Sequence, residues 1–394
     1  MNQATAGNKG PKVRSDCAIT VIKTNDKAVK IDLTSKVEAM YGDSIRQQIE
    51  EQIAFYGISG IHISIEDTGA LPFVIAARLE AAIAQLFELS KWFIPEIIAE
   101  NKYQTGKDKF RFSRLYIPGN TPRMMINAGI HKPNGIILDL EDAVAPEKKD
   151  EARYLVRNAL CRVNFYGAEK MVRINQGERG LNDLEWVAPY YVNMILIPKV
   201  ETPEQVTAVD NKIDELRKKH GFDYPIWYMP ILESALGIEN AFSIAKASPN
   251  VAAMAIGLED YTADMGVQRT KEGTESLYAR MRQVNACKAA RIQPIDSVFS
   301  DISDMDGLLD NVKRSKKLGF EGMGCIHPRQ IAIIHQGFAP EDAEIEKALK
   351  IYNAFEEAKS QGKGVISLGT KMIDPPVVKR AETTIKLAKE LKLL

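Results

Sequence analysis

A series of short apolar runs in this chain each ends on polar residues, and two of those ends carry carboxylates. PILES (230–234) contains Glu233, AIGLED (255–260) closes on Asp260, and VRIN (172–175) offers Arg173. Side chains at the ends of successive parallel strands converge on one mouth, which would gather these three residues. Two adjacent carboxylates repel unless one is protonated or a cation lies between them. Oxygen ligands with positions left for water and substrate suit Mg2+. The plainer reading makes either acid a helix cap or a surface ion-pair partner. Arg173 shares a strand face with Met171, and an arginine inside a barrel must be paired. Asp139 or Glu141 of LDLED (138–142) could pair with it. Its planar fork could also clamp a substrate carboxylate, and both hold if one guanidinium edge stays free. Arg114 is a second substrate-binding candidate. Glu141 and Asp142 add charge at the same mouth, although an acidic first turn of a helix would explain them as well. Glu259 points away from Asp260 if the strand continues that far.

These residues need a scaffold, and the spacing supplies one. Candidate strands are 113–118, 135–141, 170–175, 194–200, 226–233, 251–259, 292–299 and 322–328, with helical stretches between them. Eight strands over roughly 280 residues match a (β/α)8 TIM barrel. A doubly wound open sheet is the competing layout. It needs spaced glycines after its first strand, and only Pro118 and Gly119 stand there. Thr121 and Pro122 just beyond make a helix start. His327 reads as a packed or loop histidine, with no partner identifiable. The first hundred residues differ. CAITVIK (17–23), AVKIDLT (28–34) and ISGIHISIE (58–66) read as strands, 36–56 and 71–89 as helices, the second amphipathic. The chain thus divides into a small α+β unit (1–100), a polar, solvated and mobile linker (101–110), and a barrel (111–394). Two extra helices close the chain, about 341–360 and 376–392. Ser15, in KVRSDC, reads as a solvated serine in a flexible basic segment.

At 394 residues two domains are expected. Lys plus Arg and Asp plus Glu are 52 each, so no net field favours nucleic acid or an anionic membrane. The four cysteines have neither zinc-ligand nor redox spacing. No apolar stretch is long enough to span a bilayer, and the polar start lacks a secretory h-region, so a cytoplasmic protein is expected.

From about Phe112 onward the chain resembles the citrate lyase β subunit, within the wider family of citrate, malyl-CoA and HpcH/HpaI-type lyases. The segments that carry the likeness are RLYIPGN (114–120), GIILDLEDAV (135–144), VRIN (172–175), LIPKVET (196–202), GLEDYTADMG (257–266), GCIHPRQI (324–331) and KMIDPP (371–376). From Ser15 to Leu89 it resembles the citrate lyase acyl carrier (γ) subunit, through YGDSIRQQI (41–49) and GALPFVIAARLEAAI (69–83). The resemblance implies a carrier fused to a lyase. It implies Mg2+ on Glu233 and Asp260, with Glu233 also touching substrate, and a substrate carboxylate on Arg173. It implies that Asp374 reaches a neighbouring subunit's site, and that Ser15 bears a phosphoribosyl-dephospho-CoA arm. Glu141, Asp142 and Asp374 are the expected catalytic acids. Cleavage of a citryl thioester to oxaloacetate and an acetyl thioester is the implied reaction. Alternatives are a lyase for free malyl-, citramalyl- or citryl-CoA, and a non-catalytic carrier scaffold. Expected partners are a citrate lyase α (acyl-transferase) subunit and further copies of the chain, as a trimer or hexamer. Tethering the arm to its lyase would raise its effective concentration to roughly millimolar. Family members often carry an acidic residue and glycine before the KMID lysine, where this chain has Gly369 and Thr370.

Overall fold

The computed structural model describes residues 2–360, 366–368 and 371–394. The N-terminal unit is a four-stranded sheet of β1 (Gln3–Gly7), β2 (Cys17–Lys23), β3 (Val29–Ser35) and β4 (Ile61–Asp67), in the order β1-β2-β4-β3. β3 and β4 run parallel across the helix α1 (Glu38–Tyr56), and the other pairs are antiparallel. Alternation puts Ile61, Ile63 and Ile65 of β4 in the core. α1 stops where expected, at Gly57 in the left-handed conformation (φ 68°). The start of the chain departs from expectation. Gln3–Gly7, where no strand was expected, form β1, paired along β2, and Ser15, expected in a flexible segment, follows a turn rather than lying in a free tail.

The helix α2 (Pro72–Ala84) is not amphipathic in its setting. Every residue from Phe73 to Ile83 is buried, because β1 and β2 lie on one side and the barrel helix α4 (Lys149–Arg162) on the other. The short helix α3 (Pro122–Met125) precedes α4, and α5 (Gly177–Val187) follows it. Thr121 stands at the N-cap of α3 but its side chain does not cap; its hydroxyl donates to Asn120 Oδ1 instead.

The barrel strands are β5 (Ser113–Pro118), β6 (Gly135–Asp139), β7 (Glu169–Arg173), β8 (Met194–Ile197), β9 (Trp227–Leu232), β10 (Ala253–Ile256), β11 (Gln293–Ile295) and β12 (Met323–Cys325). They pair in parallel in chain order, and β12 returns to lie beside β5. A parallel bridge from Asp296 to Met323 spans the remaining seam, with the Asp296 amide donating to Gly322 O at 2.8 Å. The return of β12 excludes the open sheet. Ile137, Met171, Met194, Leu196, Met229, Ile231 and Ile295 fill the interior. The buried pair Arg111–Glu169 (2.7 Å) lies at the N-terminal end of this core.

The segment 101–111 is a strap, not a solvated linker. Asn101 is fully buried and donates to Leu160 O and Val163 O. Thr105 bonds Glu169, Lys107 reaches Pro249 O, and Arg111 holds Glu169 and Gln293. Its polar side chains read as solvated by composition, yet they bind the strand ends and loops at the closed end of the barrel.

The two terminal helices, Asp342–Ser360 and Pro375–Glu390, share a small core of Ala348, Ile351, Ile373, Val378, Ala381 and Ile385. Between them β13 (Ile366–Leu368) and β14 (Lys371–Ile373) pair antiparallel. Gly369 and Thr370 lie outside the described residues. Among the described residues no helix is long and apolar enough to cross a membrane, and all four cysteines are buried free thiols.

Candidate active site

The C-terminal mouth of the barrel opens into a cavity of about 380 Å3, lined among others by Arg114, Tyr116, Asp142, Arg173, Glu233 and Asp260. Small residues make the room, with Ala255, Gly257 and Gly324 on the wall. Gly257 is required for a specific reason. A Cβ there would stand 2.4 Å from Glu233 Oε1, so the side chain could not keep its place.

Glu233 follows directly on β9, and the Lys199 amide donates to its Oε2 at 2.8 Å. Burial pushes its carboxyl up to about 7; the Lys199 amide opposes this, and the nearby charges of Glu141 and Asp260 add to it. Asp260 is not at a strand end. β10 stops at Ile256, Gly257 caps the short helix Leu258–Asp264, and Asp260 sits in its first turn. From there it still lines the cavity. Glu259, expected to face away, pairs with Arg269 at 2.7 Å and also borders the cavity.

Arg173 closes β7. Asp139 takes one guanidinium edge, with Nε to Oδ1 at 2.7 Å and a terminal nitrogen to Oδ2 at 2.6 Å. The other terminal nitrogen stands 2.9 Å from Glu141 Oε2 and 3.6 Å from Asp142. Glu141 Oε2 accepts no aligned hydrogen bond, so that contact is ionic and the N–H vectors there remain free. Tyr116 lies beneath, with its ring centroid 5.3 Å from the guanidinium carbon. Burial works against the Arg173 charge, but the hydrogen bonds and charge of Asp139, with Tyr116 and Glu141, outweigh it and raise its pKa, so the guanidinium stays charged.

Glu141 is buried and turned toward Gln176 (2.9 Å) and Arg173, and desolvation raises its pKa. It does not line the cavity, whereas the half-exposed Asp142 does. Arg114 is fully buried at the cavity wall. Its guanidinium has no carboxylate within ion-pair distance among the described residues. One terminal nitrogen meets Met229 Sδ at 2.9 Å, and Nε has no partner. Asp374 is outside this group. It caps the last helix, accepting from the Val377 amide at 3.2 Å, and does not line the cavity of its own chain. His327 Nδ1 accepts from the Arg329 amide and serves the local turn.

Lys199 was not singled out by the sequence reading. It lies beyond β8, in a left-handed conformation (φ 47°) rare for a side chain of its size. The turn brings its ammonium to 3.2 Å from Asp260 Oδ1 and 3.8 Å from both Glu141 and Asp142. A cation therefore already stands beside the acids, as expected where carboxylates crowd. Glu233 and Asp260, both on the cavity wall, supply oxygen donors that fit a hard divalent ion.

Comparison with known proteins places this geometry. The family model described as HpcH/HpaI aldolase/citrate lyase matches residues 113–328. The chain belongs to the HpcH/HpaI aldolase/citrate lyase family. A second model, malonate decarboxylase delta subunit, matches residues 2–86, the acyl-carrier-like unit. Citrate lyase subunit beta of Haemophilus influenzae is 40% identical over 71% of this chain and 98% of its own length. The mitochondrial citramalyl-CoA lyase of Homo sapiens is 32% identical over 82% of this chain and 99% of its own. A solved structure of CitE from Mycobacterium tuberculosis, in complex with magnesium, acetoacetate and coenzyme A, superposes with a TM-score of 0.60. It is 27% identical and covers 72% of this chain and all of that one. The barrel is thus the body of a lyase, joined to an acyl-carrier-type domain.

Proposed function

We propose that the chain is a Mg2+-dependent lyase that cleaves a citryl thioester, carried on an arm at Ser15, to oxaloacetate and an acetyl thioester. The observation that carries this reading is the meeting of Glu233, Asp260 and the free edge of Arg173 in one cavity, on a chain that also holds a carrier-type domain.

Glu233 and Asp260 would hold the ion, which when bound supplies a Lewis acid that lowers the pKa of the substrate's tertiary hydroxyl. Arg173, fixed by Asp139 and Tyr116, presents its free N–H groups to one substrate carboxylate. Arg114 gives the wall a second cation with no carboxylate among the described residues to neutralise it. A buried unpaired charge is costly, and a second substrate carboxylate would relieve it. A citryl thioester has two free carboxylates and a malyl thioester only one, which favours the former. Loss of the hydroxyl proton breaks the adjacent carbon–carbon bond. The hydroxyl carbon becomes the ketone of oxaloacetate, and the electron pair passes to the thioester as an enolate. Asp142, at the cavity edge, would take that proton and return one to the enolate carbon. Glu141 is not, being turned to Gln176. A part for Asp374 requires a second copy of the chain.

The names of the relatives keep a second reading in view, a lyase for a free CoA thioester. The test is Mg2+-dependent cleavage of citryl thioesters, carrier-bound and free, together with the intact mass of chain made beside arm-attaching enzymes. Added mass at Ser15 and preference for the bound substrate are expected. No added mass, with full activity on free CoA thioesters, would overturn the carrier reading. Glu233→Gln with unimpaired native activity would overturn the lyase and leave a scaffold. Loading of the arm by a citrate lyase α-type acyl-transferase, assembly as a trimer or hexamer, and a cytoplasmic setting belong to the same proposal.

A further inference from the structure

The interface between the carrier domain and the barrel is built for permanence, and it begins beside Ser15. The Ser15 backbone is left-handed (φ 56°), and its amide donates to Thr68 O at 3.2 Å. The next residue, Asp16, is buried and gripped by Arg78 of α2 through Nε (3.0 Å) and a terminal nitrogen (2.9 Å). Arg78 also crosses to the barrel. It pairs with Glu151 of α4 at 3.1 Å and donates to Asn120 O at 2.9 Å. Asn8 joins Asp16 (2.8 Å) to the same Asn120 carbonyl (3.2 Å). Asn120 belongs to the loop leaving β5 at the mouth. Its neighbour Gly119 donates to Asp139 O at 2.7 Å, and Asp139 clamps Arg173. Unbroken contacts therefore run from the serine's loop to the substrate arginine.

Three further features resist separation. Gly7 donates to Glu151 Oε2 at 3.1 Å and accepts from Lys148 at 3.0 Å. No other residue fits there, since a Cβ at its φ of 92° would stand 1.9 Å from Cys17 O. Glu80 of α2 pairs with Arg157 of α4, both buried. The connecting segment is pinned as Trp92 packs on Trp186 (4.7 Å) and Tyr154 (6.2 Å). A domain that leaves and returns must rehydrate whatever it uncovers, and here that would be Glu80, Arg157 and one whole side of α2.

We propose that this carrier domain does not travel: it stays docked on its own barrel, and only the arm on Ser15 swings. The arm then serves the active site of its own chain, and any acyl-transferring partner must come to the face that presents residues 8–15. This rests on the carrier reading above.

The test uses two differently tagged full-length chains, Ser15→Ala and Asp260→Asn, co-expressed with arm-attaching enzymes. Mixed assemblies are isolated through both tags, or the two purified chains are combined at high concentration if the protein is a monomer. Expected is citryl-thioester cleavage no greater than that of the two variants assayed apart. Recovery of a large fraction of wild-type activity would show that arms serve neighbouring barrels and would overturn the proposal. Intact mass of wild type separates this from failure of the carrier reading. If no arm is found, docking is judged by amide exchange. Residues 73–83 should exchange as slowly as α4 in the intact chain, and markedly faster exchange would show that the domain lifts away.

Discussion

Replacing Lys199 by methionine should make magnesium bind about fivefold more tightly. The Lys199 ammonium lies 3.2 Å from Asp260 and 3.8 Å from Glu141 and Asp142, on ground that a divalent ion bound by Asp260 must approach. A single charge about 5 Å from a divalent one costs roughly 1.7 kcal/mol even at the dielectric of bulk water. The water-like value is the appropriate one, because the Lys199 and Asp260 side chains are 31% and 44% exposed and exposed pairs are well screened. Salt with a Debye length of about 8 Å removes part of this. What remains, on the order of 0.9 kcal/mol, is about fivefold in affinity. Methionine keeps the length of the stem and leaves the backbone amide on Glu233 in place. The assay is calorimetric titration of the metal-free chain with MgCl2 at low and high salt, and the gap between variant and wild type should narrow as salt rises. Equal or weaker binding by the variant would refute the reasoning, because the ammonium would then stand clear of the ion's place and Asp260 would not hold it.

Four other outcomes are expected. Gly257→Ala puts a methyl 2.4 Å from Glu233 Oε1; magnesium affinity and citryl cleavage should each fall at least about tenfold with the thermal midpoint little changed, and unimpaired activity would show that Glu233 need not sit there. Glu233 has its folded pKa raised from 4.5 to about 7, so the folded metal-free chain binds the extra proton between those values and loses stability as pH rises through them. The loss is up to about 3 kcal/mol; Glu233→Gln should flatten urea midpoints measured from about pH 4 to about pH 8 in chelator, and an unaltered slope would assign the titration elsewhere. Arg157→Leu strands the buried carboxylate of Glu80 and should cost about 3–5 kcal/mol in urea unfolding, most of it recovered by adding Glu80→Leu; a single variant as stable as wild type would mean the pair is solvated. Arg114→Met should lower kcat/KM for a citryl thioester about a hundredfold, as for loss of a charged hydrogen bond, and much less for a malyl thioester; equal losses would remove Arg114 from substrate recognition.

The barrel was legible because its strands are short apolar runs at helix-separated intervals, and each expected run contains an observed strand or shares most of it. What failed was local. β1 (QATAG) is made of small and polar residues, and nothing in it but the threonine favours a strand. Asp260 was placed one element early, because AIGLE reads on as strand although Gly257 turns the chain into a helix. Asp260 lines the cavity all the same, from the first turn of that helix. Lys199 lies within LIPKV (196–200), where a lysine after an apolar run looks solvated. The signal available was its position just past a strand end beside Pro198. Its left-handed backbone, which turns it onto the acids, leaves no mark in the residue pattern. The strap at 101–111 was misread for a similar reason, as composition counts polar groups but not the backbone carbonyls waiting to receive them.

The helix α2 (Pro72–Ala84) holds the more instructive miss. Two opposite charges, Arg78 and Glu80, stand in a stretch otherwise almost wholly apolar. Read as an amphipathic helix, the stretch should turn its charges to water, yet two positions apart they lie about 200° apart around the axis and cannot share one face. A helix buried on both sides makes the same pattern a demand for partners, and α4 supplies Glu151 and Arg157 in matching order. That order carries information beyond stability. Running α2 the other way across α4 would set Arg78 against Arg157 and Glu80 against Glu151, two like-charge contacts in a dry interface. Apolar packing alone tolerates several placements of one helix on another. The crossed charges penalise the wrong ones, and the placement they leave is the one that sets Arg78 between Asp16, next to Ser15, and the loop that leaves β5.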